Sequence, residues 1–206
     1  MYSCLVSTLL LPLFSAALPT TDGKPSTSWT PNQQQVVSFS GNSAVKFDNV
    51  GAGVGLGLPV RALQSLGAYS LLSYNNLAVV NPMNDLAGLK PFSKPNVLGY
   101  DVVFALQGQQ TITAKYDDSI TDAFNLNSFY FGCVVTNAVG VASTVKFTPD
   151  GAASNLGPAN LRNAGFKNVD SVEFKLIGGL EKLVSAVLFD NFEIDVILKK
   201  GARYPG

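Results

Sequence analysis

"VSAVLFDNFEIDVIL", Val184 to Leu198, decides what kind of fold this chain takes. In its second half Phe192, Ile194, Val196 and Leu198 fall on one side, with Glu193 and Asp195 between them. That period of two marks a strand with one buried face and one wet face. Continued backwards as an unbroken strand, the same parity runs through Ala186, Leu188 and Asp190, and so turns the Asp190 carboxylate inward. A buried carboxylate is costly unless something satisfies it. Three solutions exist: a bulge near Asp190 that turns it out, hydrogen bonds from adjacent backbone, or a cation shared with another loop. The tripeptide Phe189-Asp190-Asn191 also occurs as Phe47-Asp48-Asn49, so Asp48 or a carbonyl beside Asn49 is the natural second donor for such a cation.

The rest of the chain carries the same strand signals. In "SVEFKLI", Val172, Phe174 and Leu176 alternate with Ser171, Glu173 and Lys175. Further strands are expected in "QVVSF" from Gln35, "AVKF" from Ala44, "LAVV" from Leu77, "LGYDVVFAL" from Leu98, "QTITAKY" from Gln110, "NSFYFGCVV" from Asn127 and "VASTVKFT" from Val141. Turn clusters such as Asp150-Gly151 and Gly178-Gly179 separate them. The one helical hint, "PVRALQSLG", starts at Pro59 and would stop at Gly67. With about eight to ten short antiparallel strands and no helix able to cover a sheet, the sheets must cover each other. The expected fold is all-β, a β-sandwich of jelly-roll type.

The first 17 residues, an uncharged apolar run closed by Ser15, Ala16 and Ala17, read as a secretory signal peptide, so the expected location is extracellular. Residues 18–34 are rich in Pro, Thr, Ser and Gln and read as an exposed N-terminal arm. Residues 35–200 form a single sandwich domain and 201–206 a tail. Fourteen acidic and fourteen basic residues leave no net charge, which argues against nucleic acid or a membrane as partner. Cys4 falls in the signal, leaving Cys133 alone, so stability must come from packing without an internal disulfide. There is no Asn-x-Ser/Thr sequon.

The chain has no histidine. Ser-His-Asp and Cys-His catalysis, His-ligated zinc and histidine pH switching are therefore excluded. "GAGVGLG", residues 51–57, has neither a dinucleotide fingerprint nor a P-loop spacing and reads as a loop. "KYDDSITD" groups Asp117, Asp118 and Asp122 but lacks the glycine and terminal glutamate of an EF-hand, so an exposed acidic turn is expected. A glycoside hydrolase would need two carboxyl groups across a cleft, drawn from Asp85, Asp101, Glu173, Glu181, Glu193 and Asp195. Polar-face positions on strands explain several of these without catalysis.

Taken in order, "VKFDNV", "LLSYNNLAVVN", "FNLNSFYFGCVV", "GFKNVDSVEF" and "AVLFDNFEIDV" resemble a widespread group of secreted fungal proteins, mostly uncharacterised. Asn49 stands where the group usually has a second Asp, and Asn76 where it usually has Gly. The group looks like carbohydrate-binding β-sandwich modules in which a structural calcium commonly joins the first and last strands. The resemblance implies calcium linked to Asp48 and Asp190, with Asn49 in the place of a stronger ligand.

The leading functional expectation is a non-catalytic binding protein for a cell-wall or host polysaccharide, with sugar faces on exposed rings and amides at their edge. Tyr69, Tyr74, Phe92, Tyr100 and Tyr116 are the candidate rings, with Asn75, Asn76 and Asn96 beside them. The alternatives are an effector-like protein that binds a host or fungal protein, and a polysaccharide lyase or hydrolase using carboxylates or a Tyr/Lys pair.

Overall fold

The computed structural model describes residues 23–51, 65–81, 91–101, 107–136, 142–145, 157–160, 166–175 and 184–205. The expected signal peptide, the helical hint up to Gln64, nearly all of the glycine-rich run and the turns at Asp150-Gly151 and Gly178-Gly179 lie outside the described residues. Twelve strands run through the described residues: β1 Ser26–Trp29, β2 Gln35–Phe39, β3 Gly67–Tyr69, β4 Leu72–Asn75, β5 Ala78–Val80, β6 Val97–Asp101, β7 Gln110–Thr113, β8 Thr121–Thr136, β9 Ala142–Val145, β10 Gly157–Asn160, β11 Ser171–Phe174 and β12 Val184–Leu198. That exceeds the expected eight to ten, partly because β1 and β10 were not anticipated. The segment from Ala44 is not a strand; Val45 alone bridges to Phe192.

All pairings are antiparallel and they build two sheets. The larger has eight strands, and β12 runs through its middle. One edge of β12 pairs along its length with β8; its other edge is shared, with β6 opposite Ala186–Phe189 and β2 opposite Ile194–Ile197. The smaller sheet is β11-β7-β4-β3. The N-terminal strand β2 and the C-terminal strand β12 therefore lie side by side.

Aromatic rings fill the space between the layers. Phe174 of β11 lies 4.6 Å from Phe189 of β12. Phe129 of β8 contacts Phe174 at 5.9 Å and Phe192 at 5.3 Å. Phe47 packs edge-on against Tyr74 of β4 and Phe192 of β12. Burying each such ring contributes about 1.5–3 kcal/mol, the main favourable term for a fold whose sheets have no helical cover between them.

β12 does not keep one parity. Phe189 and Phe192 both face the core, although three positions separate them. The reason is a bulge: Asp190 pairs with Tyr130, but Glu193 pairs with Ser128. Asn191, inside the bulge, has φ 47, a left-handed conformation that Asn tolerates better than most residues. β8 makes the compensating irregularity, since Ile194 pairs with Leu126 and skips Asn127. Leu126 and Phe129 are accordingly both buried. Both strands exchange faces at one level, and the pairs on either side, Phe189 with Phe131 and Ile194 with Leu126, keep a common register.

Within the expected arm, residues 23–34 are more structured than composition suggests. Its residues Ser26–Trp29 are exposed, as expected of an arm, yet they form edge strand β1 on β2.

Candidate functional site

The two Phe-Asp-Asn tripeptides meet beneath one segment, Phe92-Ser93-Lys94-Pro95-Asn96, which leads into β6. Asp190 is 0% exposed. Its Oδ2 accepts from the Ser93 backbone N–H at 2.8 Å, and its Oδ1 accepts from the Ser93 hydroxyl at 3.0 Å and from the Asn191 N–H at 2.8 Å. Of the solutions open to a buried Asp190, hydrogen bonding is thus realised. The bulge at Asn191 is realised as well: with Phe189 facing the core, Asp190 lies on the outer face beside Tyr130 and is buried there by the Phe92–Asn96 segment.

Asp48 holds the far end of the segment. Its Oδ1 lies 3.4 Å from the Asn96 N–H, while the Asn96 amide donates to the Val50 carbonyl at 2.8 Å. Phe47 is buried in the core and fixes where Asp48 emerges. Asn49 turns the other way: its Oδ1 and the Lys46 carbonyl each lie 2.9 Å from the Tyr69 hydroxyl, which donates to them.

Burial pushes the Asp190 carboxyl up to about 6, against the three hydrogen bonds that favour its charge, and the nearby Asp48 charge adds to the rise. Burial also raises Asp48, opposed by Asn96, Ser93 and the Lys46 charge. Asp48 and Asp190 are hard oxygen donors of the kind calcium takes. Asn191 Oδ1 is a third oxygen, buried without a hydrogen-bond partner. Asn49 Oδ1, by contrast, is taken up by the Tyr69 hydroxyl. Among the described residues there is no cluster of three or more His, Cys, Asp or Glu suited to a metal.

The candidate rings do not share one surface. Tyr74 is 1% exposed and Tyr100 2%, both in the core. Burial raises both phenols above their ordinary range, and neither can offer a face to a sugar. This corrects the expectation for both. Tyr69 is half-buried with its hydroxyl engaged, Tyr116 is half-buried beside the exposed Asp117-Asp118 turn, and Asn96 is buried in its fastening role. Asn75 is exposed on β4 and bonds Thr111; Asn76 bonds the Gln109 carbonyl. Phe92 is the candidate ring that stays accessible, 45% exposed. It lies flat on Tyr130, centroids 4.0 Å apart and planes at 19°.

From that stacked pair a polar strip runs along the outer face of β8 and β12, unnoticed as a unit in the sequence. The Tyr130 phenol is raised by burial and by the Glu193 and Asp190 charges, which places all three close together. Glu193 accepts from the Ser128 hydroxyl at 2.8 Å and from the Gly41 N–H at 3.1 Å. Asp195 Oδ2 accepts from Asn127 at 3.0 Å and more distantly from Asn125 at 3.5 Å. Apart from the buried Asp190 these side chains are half-buried, so each keeps part of its polar surface open to water. Of the other carboxylates considered for hydrolysis, Glu173 is exposed on β11, Asp101 ends β6, and Asp85 and Glu181 lie outside the described residues. Trp29, the other large exposed ring, is 52% exposed but carries the Arg203 guanidinium 4.5 Å above it.

Comparison with protein-family models, with curated proteins and with solved structures yields no match to this chain.

Proposed function

We propose that this chain is an exported, non-catalytic glycan-binding protein whose ligand lies on the outer face of β8 and β12. One observation carries the reading: Phe92 is a half-exposed ring, backed flat by Tyr130 and adjoining a strip of hydroxyl, amide and carboxylate side chains. Sugar rings present apolar C–H faces that pack on such a ring, and hydroxyls that pair with neutral amides and carboxylates. The backing ring lowers the ordering cost of binding, since Phe92 is already placed. Export rests on the signal-like first 17 residues. Within this reading Asp48 and Asp190 would hold a calcium ion that adds to the hydrogen bonds fastening the segment above them.

The test is affinity electrophoresis of the purified protein through a panel of cell-wall polysaccharides, wild type against Phe92→Ala. Loss of the ring should weaken binding of the retarding polysaccharide by about 5–30-fold, or 1–2 kcal/mol. A wild-type protein retarded by nothing on the panel, or a variant retarded equally, defeats the reading. Capture of a defined protein in the first case would favour a protein-binding role instead.

A further inference from the structure

The repeated Phe-Asp-Asn has a common task. We infer that Asp190, acting through Ser93, is a positioning residue for ligand binding at Phe92, and that Asp48 and the Phe47–Val50 turn fasten the other end of the same segment through Asn96. The inference rests on the glycan-binding reading of Phe92 and adds what holds that ring in place.

Phe92 contacts Tyr130 from a segment that projects over the outer face of the large sheet. Stacking alone does not fix a ring borne on a loop. The next residue is fixed, because both the N–H and the hydroxyl of Ser93 go to one carboxylate. That carboxylate sits directly across from Tyr130 in the β12–β8 register, so anchor and backing ring share a single cross-strand pair. Three residues further on, Asn96 ties the segment to Asp48 and to the Phe47 and Val50 carbonyls. Charge-assisted hydrogen bonds are the stronger kind, and two to one acceptor also fix direction. Asp190 is buried and does not reach a glycan on the surface; its effect there passes through Ser93 and Phe92.

The fastening can be read without any ligand. The chain has one tryptophan, so Trp29→Phe with Phe92→Trp leaves a single indole at position 92. Acrylamide quenching of that indole is measured in this background, then with Ser93→Ala, Ser93→Thr and Asp190→Asn. Ser93→Ala and Asp190→Asn should raise the quenching constant by about twofold or more, as local opening frees the segment. Ser93→Thr, which keeps the hydroxyl, should restore the parent value. In the Phe92 protein, Ser93→Ala should weaken the retarding polysaccharide by about tenfold while its melting curve stays cooperative. Ser93→Ala alone keeps the test decisive where Asp190→Asn does not fold. Equal quenching in the parent and Ser93→Ala overturns the proposal. So does an EDTA-treated parent that opens as far as Asp190→Asn, because a cation would then be holding the segment. The expected quenching pattern with no polysaccharide bound upholds the fastening and overturns only the glycan reading.

Discussion

Replacing Asp190 by Asn should remove a pH dependence that the wild-type protein carries. Unfolded, the Asp190 carboxyl titrates near 3.8; folded, burial moves it up to about 6. Between those values the folded protein keeps a proton that the unfolded chain has released, so stability falls as pH rises through the window and is level above it. A rise of roughly two pKa units corresponds to about 3 kcal/mol. Asn is close in shape but cannot ionise. In either orientation its NH2 would face a backbone N–H, that of Ser93 or that of Asn191, donor to donor, at a cost of about 1–3 kcal/mol that does not vary with pH. The variant should therefore be the less stable protein at pH 4 and draw level with or overtake wild type at pH 7. Urea unfolding of both at half-unit steps from pH 4 to 7.5, with EDTA present, measures the difference directly. Carboxylates remote from the site, such as Asp170 paired with Lys115, titrate in both proteins and cancel, while Asp48, whose charge adds to the rise at Asp190, is relieved of that repulsion in the variant. The midpoint difference should move by about 1–2 M urea across the range. Curves for the two proteins that stay parallel across this pH range would refute a buried, proton-linked Asp190.

A Cβ at Gly99 would stand 2.8 Å from the Val187 carbonyl and 2.7 Å from Leu188 Cδ2, so Gly99→Ala should cost about 1–3 kcal/mol, seen as a lowered melting temperature. At Asn191, φ 47 favours glycine, and the side-chain oxygen has no partner; Asn191→Gly should be at least as stable as wild type and Asn191→Ala about 1 kcal/mol less stable by denaturant titration. Millimolar calcium should raise the wild-type melting temperature but not that of Asp48→Asn, and an equal rise in both would remove Asp48 as a ligand.

The strands that could be read from sequence were those with one wet face. Val172 and Phe174 in β11, and Ile194, Val196 and Leu198 in β12, are buried in the alternation their residue types announce. β1 escaped because an edge strand exposed on both faces shows no apolar period; its pairing lies in the backbone. Tyr74 and Tyr100 were expected at the surface as rings in or beside loops, whereas they lie on strands β4 and β6. Their partners in parity, Leu72 and Leu98, are fully buried, and that was the signal for an inward phenol. The inward parity of Asp190 held only for an unbroken strand, and the bulge at Asn191 overturns it; the bulge and the hydrogen bonds, both weighed as alternatives, are what the structure has, and Val45 bridges to Phe192. Ser93 as the partner of Asp190 was out of reach, since nothing local ties residues 97 positions apart. The polar strip was hidden for a related reason: Asn127 and Asp195 meet only once the β8–β12 register is known.

The extra residues that β12 and β8 carry at the level of Asn191 and Asn127 offset one another. Loss of Asn191 alone would set Phe192 opposite Phe129 and leave Glu193 on Ser128, and loss of Asn127 alone would leave Ile194 on Leu126, so the pairs from Ile194 to Ile197 would keep their partners. Loss of both together would leave the alignment intact. At this one level each strand thus holds a residue that descendants of this gene can lose without displacing the apolar face beyond it.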